Sequence, residues 1–331
     1  MRIVVDSAIP YIDPRVEATA EIIRTAGAEI GAADVRDADA LIVRTRTRCD
    51  AALLEGSRVR IVATATVGFD HIDTEWCRAH GLRVATAAGC NARAVLQWVA
   101  AALVRLSRVQ GWQPGERTLG VVGVGHVGSL VSEYARRWGF RVLCCDPPRE
   151  AAGESGFVSM EQIAAEADII TFHVPLDDST RHLADGNLLA ALAKHCTIIN
   201  SSRGEVVDGE ALLASGLPYA LDVWEGEPLL NRTLLEHALV ATPHIAGYSA
   251  QGKANATAMA VRAVAAELGL PLTEWYPQGA EPQSPRPIEW PELCATIDGY
   301  FDIAAETEYL KSHPAEFEHL RDTYTYRKEY F

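Results

Sequence analysis

Short apolar runs alternate with segments of helical spacing from the start of the chain. Arg2–Val5, Leu41–Arg44, Arg60–Ala63 and Val84–Thr86 suit buried parallel strands. Between them, Arg15–Thr25, Ala51–Leu54 and Thr74–His80 read as helices, with Gly27, Gly56 and Gly81 placed where helices stop. A long helix rich in Ala, Val and Leu follows at Ala94–Arg108. It is apolar around most of its circumference and is therefore expected to be buried. A second alternating series then begins, with strands at Thr118–Val122, Val142–Cys145, Asp168–Phe172, Thr197–Asn200, Ala220–Val223 and Val240–Thr242. Its helices are Val127–Trp138, Met160–Ala165, Gly186–Ala193 and Gly209–Ala214, and another long alanine-rich helix covers Lys253–Leu268. Two alternating series joined by two long helices predict one α/β domain inserted into another.

The pattern changes after residue 270. Residues 271–291 hold six of the sixteen prolines and read as a stiff linker. Pro291–Phe331 is aromatic and charged, and some forty residues bury too little to form a core alone. That segment is expected to pack on another subunit or on the main body. The resulting division is one domain of residues 1–92 and 254–270, an inserted domain of 93–253, and a linker with a short C-terminal segment at 271–331.

Composition narrows the functions open to the chain. Its 331 residues carry 30 Lys and Arg against 44 Asp and Glu, a net charge of −14. Nucleic-acid and anionic-membrane binding need a dominant basic surface, so both are disfavoured. No apolar run approaches the roughly 20 residues that span a bilayer, and MRIVVDSAIP lacks the apolar stretch of a signal peptide. Seven cysteines without a CxxC pair point to free thiols in a reducing cytoplasm. Cys90, in the segment GCN, is read as a packed thiol rather than a nucleophile.

Candidate chemistry begins at Gly123-Val-Gly125-His-Val-Gly128, directly after an apolar strand and opening a helix. Gly123 permits a tight turn, Gly125 lets a pyrophosphate approach the backbone, and Gly128 lets helix and strand pack closely. Asp146, at the end of the next strand, stands where an acid binds the adenosine ribose diol, which favours NAD over NADP. Arg149 is placed beside the adenine. Three further segments each follow a strand of this series: Asn200-Ser-Ser-Arg203-Gly204, Asp222-Val-Trp-Glu225-Gly-Glu227 and Pro243-His244-Ile-Ala-Gly247-Tyr248. Oxidation of a 2-hydroxy acid needs a base for the hydroxyl proton and a cation for the carboxylate. Arg203 suits the second task, His244 the first, and Glu227 can fix the histidine's tautomer.

The series GVGHVG, CCDPPR, TFHVPL, INSSRGEVVD, LDVWEGEP and TPHIAGYS resembles the NAD-dependent D-2-hydroxyacid dehydrogenase family. The resemblance implies a Rossmann domain inserted into a flavodoxin-like α/β substrate domain, with a short C-terminal tail. It implies catalysis by Arg203, Glu227 and His244. It places NAD against Gly123, Gly125, His126, Val127, Gly128, Asp146, Val174, Ser201, Ser202, Arg203, Asp222 and Gly247, with the His126 ring pointing away from the loop. VDSAIPY, AAGCNARAV and HIAGYSAQGKA resemble a subgroup that acts on a phosphorylated hydroxy acid, which implies substrate contacts at Thr45, Thr66 and Tyr248. Arg44, Arg46 and Arg48 alternate at strand spacing, so Arg44 and Arg46 are candidates for the phosphate. The subgroup dimerises through a C-terminal domain longer than this tail, and Arg327 is a candidate to reach a partner's substrate phosphate. The alternatives are a dehydrogenase for phosphoglycerate, glyoxylate or hydroxypyruvate, and an NAD-sensing corepressor-like binding protein.

Overall fold

The computed structural model describes residues 1–331. The chain divides into two compact units. The first comprises Met1–Asn91 and Ser249–Gln283, and the second Ala92–Tyr248 and Ser284–Phe331. No helix is long and apolar enough to cross a membrane.

The first unit holds β1 (Arg2–Asp6), β2 (Glu21–Thr25), β3 (Ala40–Val43), β4 (Ile61–Thr64) and β5 (Arg83–Thr86). All pair in parallel in the order β2-β1-β3-β4-β5, the flavodoxin-like arrangement. Every residue of β3 and β4 is buried, as expected of parallel strands covered on both faces. One apolar layer joins Ile3, Val5, Ile42 and Ile61 to the small face of the helix Ala250–Leu268, and the other joins Val4, Leu41 and Val62 to Leu54 and Cys77.

β2 departs from the sequence reading, which placed one helix over Arg15–Thr25. The helix covers only Pro14–Glu17, capped by the Asp13 side chain, and Glu21–Thr25 is an edge strand. Ile22, Ile23 and Thr25 are β-branched and half-buried, and Arg2 pairs with Glu21 across the two strands. An edge strand buries too little to show as a continuous apolar run.

The second unit holds β6 (Thr118–Val122), β7 (Arg141–Cys145), β8 (Ile169–Phe172), β9 (Thr197–Asn200), β10 (Tyr219–Leu221) and β11 (Val240–Ala241). The parallel order is β11-β10-β9-β8-β6-β7, so the order in which successive strands are added reverses between β6 and β8. Ligands of open α/β sheets bind outside the strand carboxyl ends at such a reversal. The long helix spans Ala92–Gln110 and is buried along most of its length within this unit.

Residues 284–331 belong to the same unit. Trp290 stands 5.9 Å from both Trp138 and Phe140 and 6.4 Å from Trp112, ring centre to ring centre. The Trp138 indole donates to Ile288 O at 3.1 Å, and Leu293, Ile297, Phe301 and Phe331 complete this aromatic core. The segment that sequence set apart as a linker and tail thus contributes core residues from Ile288 onward.

Candidate active site

The glycine turn is shaped by contacts that exclude side chains. Gly123 has φ +83°, and a Cβ there would lie 2.6 Å from His173 O and 2.8 Å from a Val174 methyl. A Cβ on Gly128 would fall 1.9 Å from Gly123 O, so only glycine lets the helix His126–Trp138 start against this turn. Gly125 differs: nothing lies within 4 Å of its Cβ position. It caps the helix without a side-chain hydrogen bond, His126 beside it is exposed, and Val127 is half-buried. Asp146, at the end of β7, accepts from Val124 N at 2.7 Å and Arg149 N at 3.1 Å. Arg149 donates to Val124 O at 2.5 Å, pairs with Glu154 and lies over Phe157.

β9 delivers the arginine. Buried Asn200 organises the turn: its Oδ1 accepts from Ser202 N at 3.0 Å and Ser202 Oγ at 2.7 Å, and its amide donates to Arg203 O at 2.8 Å. Ser201 Oγ is buried without a partner in the chain. Arg203 Nη1 donates to Ser202 O at 2.8 Å. A Cβ at Gly204 would lie 2.1 Å from the Trp224 carbonyl carbon, so glycine after Arg203 lets this turn meet the one carrying Glu227.

The histidine follows β11 in a turn held from its amide side. His244 has φ +58°, a left-handed conformation that costs a non-glycine residue about 1–3 kcal/mol and persists only where surroundings enforce it. Asp222, 1% exposed, accepts from Ile245 N and Ala246 N at 2.8 and 2.9 Å and from Thr242 Oγ1 at 2.6 Å, while its backbone carbonyl accepts from His244 N at 2.8 Å. The Thr242 hydroxyl in turn accepts from the Trp98 indole at 2.9 Å. Burial pushes the Asp222 carboxyl above its usual range, against the opposing pull of His244 and these three donors.

Glu227 Oε2 accepts from His244 Nδ1 at 2.8 Å, and Oε1 accepts from Trp224 N at 2.8 Å. Burial opposes ionisation of Glu227, yet the His244 hydrogen bond and charge, the Trp224 N–H and the Arg321 guanidinium outweigh it and hold the carboxyl below its ordinary value. A carboxylate on Nδ1 keeps the proton there and leaves Nε2 as the basic nitrogen. Tyr248 closes the turn, its hydroxyl accepting from Arg321 Nε at 3.2 Å. Gly247, the residue before Tyr248, is half-buried.

The remaining candidates lie in the first unit, and one expectation fails there. β3 ends at Val43, so Arg44, Arg46 and Arg48 follow it in a turn and form no ladder on one strand face. Arg44 donates to Ala8 O at 3.2 Å, Arg46 is exposed, and Arg48 pairs with Asp50 at 2.7 Å. β3 and β4 are in register with Val43 opposite Thr64. Thr45 and Thr66 therefore sit at matching places beyond two neighbouring strand ends. Thr45 is exposed, whereas Thr66 Oγ1 donates to Gly68 O at 2.8 Å and shares a 2.6 Å hydrogen bond with Thr64.

Arg327 is also corrected. It is 7% exposed, and both of its terminal nitrogens donate to carbonyls of its own unit rather than standing free for a phosphate. Asn200 and Thr242 were missed as organising residues. Their signal, a polar residue ending an apolar strand just before a candidate catalytic turn, was present in the sequence.

The description "D-isomer specific 2-hydroxyacid dehydrogenase, NAD binding domain" matches residues 83–246. Erythronate-4-phosphate dehydrogenase of Bacteroides thetaiotaomicron is 46% identical over 340 residues, covering 99% of this chain and 97% of its own length. The enzyme of that name from Ectopseudomonas mendocina is 47% identical over 276 residues, or 82% of this chain and 73% of its own. Among solved structures, NAD+-bound 3-phosphoglycerate dehydrogenase of Entamoeba histolytica superposes with a TM-score of 0.67 at 25% identity, covering 81% of this chain and 94% of the other. The chain belongs to the D-isomer specific 2-hydroxyacid dehydrogenase family, and within it to the erythronate-4-phosphate dehydrogenases.

It is an NAD-dependent dehydrogenase, and the residues present fit that cofactor. Space stands open at Gly125 while Gly123 and Gly128 are closed to any side chain, and Ser201 carries an orphaned hydroxyl. Gly123, Gly125, Val127 and Gly128 would take the pyrophosphate at the helix start, and Asp146 the ribose. When bound, NAD supplies the acceptor for the substrate's hydride.

Proposed function

We propose that the chain oxidises 4-phospho-D-erythronate at C2 to (R)-3-hydroxy-2-oxo-4-phosphooxybutanoate, with NAD as oxidant, in pyridoxal 5′-phosphate biosynthesis. The Glu227–His244 pair carries this reading, because an imidazole with a carboxylate on Nδ1 presents a base at Nε2. His244 takes the proton of the C2 hydroxyl, and Glu227 stabilises the imidazolium that forms. Arg203 holds the substrate carboxylate in a planar clamp. The remaining cofactor contacts are His126, Val174, Ser202, Asp222 and Gly247. Thr45, Thr66 and Tyr248 position the substrate, and Arg44 and Arg46 meet its phosphate. The enzyme works in the cytoplasm as a homodimer built through residues 271–331.

The test is NADH formation from NAD and 4-phospho-D-erythronate beside 3-phosphoglycerate and unphosphorylated D-erythronate, with a carbonyl trap to pull the oxidation forward. Turnover confined to the first compound is expected. Turnover of another acid removes the substrate assignment and keeps the chemistry, whereas NADH binding without any turnover removes both.

A further inference from the structure

The turn carrying His244 is gripped on its carbonyl side by a residue from the far end of the chain. Arg327 Nη1 donates to Ile245 O at 2.9 Å and Tyr248 O at 3.0 Å. Its Nη2 donates to Ala94 O at 2.9 Å and to Ala246 O. Its guanidinium carbon lies 4.4 Å from the centre of the Phe301 ring, so the cation is covered by an aromatic face. Asp222 meanwhile takes the N–H groups of Ile245 and Ala246. Residues 245 and 246 are thus held by an anion on their amides and by a cation on their carbonyls. The residue just before them is the strained one, His244 at φ +58°.

We propose that Arg327 is a positioning residue for catalysis: its clamp on the carbonyls of residues 245, 246 and 248 holds His244 in the left-handed conformation that aims Nδ1 at Glu227. The inference rests on the proposed roles of His244 and Glu227, and not on which hydroxy acid is oxidised. Only a guanidinium presents enough rigid donors to reach several carbonyls together, which a lysine ammonium does in part and a methionine not at all. The C-terminal segment accordingly serves the reaction of its own subunit, whatever else it contacts.

The experiment compares wild type, Arg327→Lys and Arg327→Met in the full chain, using whichever 2-hydroxy acid the wild type turns over. A failed substrate assignment therefore leaves this test intact. In the Met variant kcat is expected to fall at least thirtyfold, by more than KM or the Kd for NAD rises, and the Lys variant recovers part of kcat. A second readout needs no turnover: the downfield imidazole proton of the Nδ1–H to Glu227 hydrogen bond, assigned by its loss in Glu227→Gln, should broaden or vanish in Arg327→Met. Wild-type kcat in the Met variant, a Lys variant no better than Met, or an unchanged imidazole proton would overturn the proposal. Should the Met variant fail to fold, the Lys variant decides: kcat lowered by more than KM rises supports the clamp, and wild-type kcat refutes it.

Discussion

Replacing Glu227 by glutamine changes one atom and should remove most of the activity. The wild-type carboxylate accepts two hydrogen bonds, one from Trp224 N and one from His244 Nδ1, both at 2.8 Å. An amide can accept only one of them on its oxygen. The Trp224 N–H is fixed by the backbone and must find an acceptor, so the amide oxygen stays there and the NH2 turns toward Nδ1. His244 must then accept at Nδ1, which places its proton on Nε2 and blocks the nitrogen meant to take the hydroxyl proton. Two losses combine. A hydrogen bond to a charged group is worth about 1.5–3 kcal/mol, which is roughly 10- to 150-fold in rate at ~1.36 kcal/mol per tenfold. The wrong tautomer adds to that, and carboxylate-to-amide changes in such pairs elsewhere reach about 10⁴-fold. The expected fall in kcat is therefore roughly 10³-fold, with KM and NAD affinity near wild type because the shape is kept, and with a lower melting temperature at neutral pH because a carboxyl held below its ordinary value stabilises the fold while ionised. Steady-state kinetics and thermal melting measure all of these. A kcat within tenfold of wild type would refute the assigned role of Glu227.

Other outcomes follow from the same structure. Gly125→Ala should melt within a few degrees of wild type, since its Cβ meets nothing within 4 Å, yet lose at least about tenfold in NAD affinity by fluorescence titration because the added methyl occupies the pyrophosphate's approach. Gly128→Ala should instead be destabilised, its Cβ falling 1.9 Å from Gly123 O. At Asp13, burial disfavours the charge but Arg15, Gln278 N and the Trp275 indole outweigh it and hold the carboxyl down at about 2. A depressed acid stabilises the fold above its unfolded value near 3.8 and loses that contribution as pH falls toward about 2. Asp13→Asn should therefore melt lower than wild type at neutral pH, and the gap should close near pH 2. A gap that persists unchanged in acid would contradict this.

The sheets and the site were legible in the sequence to different degrees. Buried parallel strands such as Ile61–Thr64 and Ile169–Phe172 announce themselves because covering both faces demands unbroken apolar runs. The glycine turn was legible because its spacing answers to backbone contacts, and the Glu227–His244 pair because each follows a strand at the ligand-binding edge. β2 was not, since an edge strand shares its mixed pattern with a short helix. The arginines after β3 were misplaced because alternate spacing does not say where a strand ends. The role of Arg327 was illegible for a different reason. Its partners are backbone carbonyls as much as 233 residues away in sequence, and a carbonyl leaves no mark on residue type.

In the proposed reaction the hydrogen at C2 of 4-phospho-D-erythronate passes to NAD with His244 as the base. Substrate carrying deuterium at C2 tests it most directly, with the NADH formed by wild type and by His244→Ala examined by mass spectrometry. Deuterium is expected in the wild-type NADH, with none detectable for the variant, although the variant still binds NAD. Unlabelled NADH from wild type, or labelled NADH formed equally fast by the variant, would contradict it.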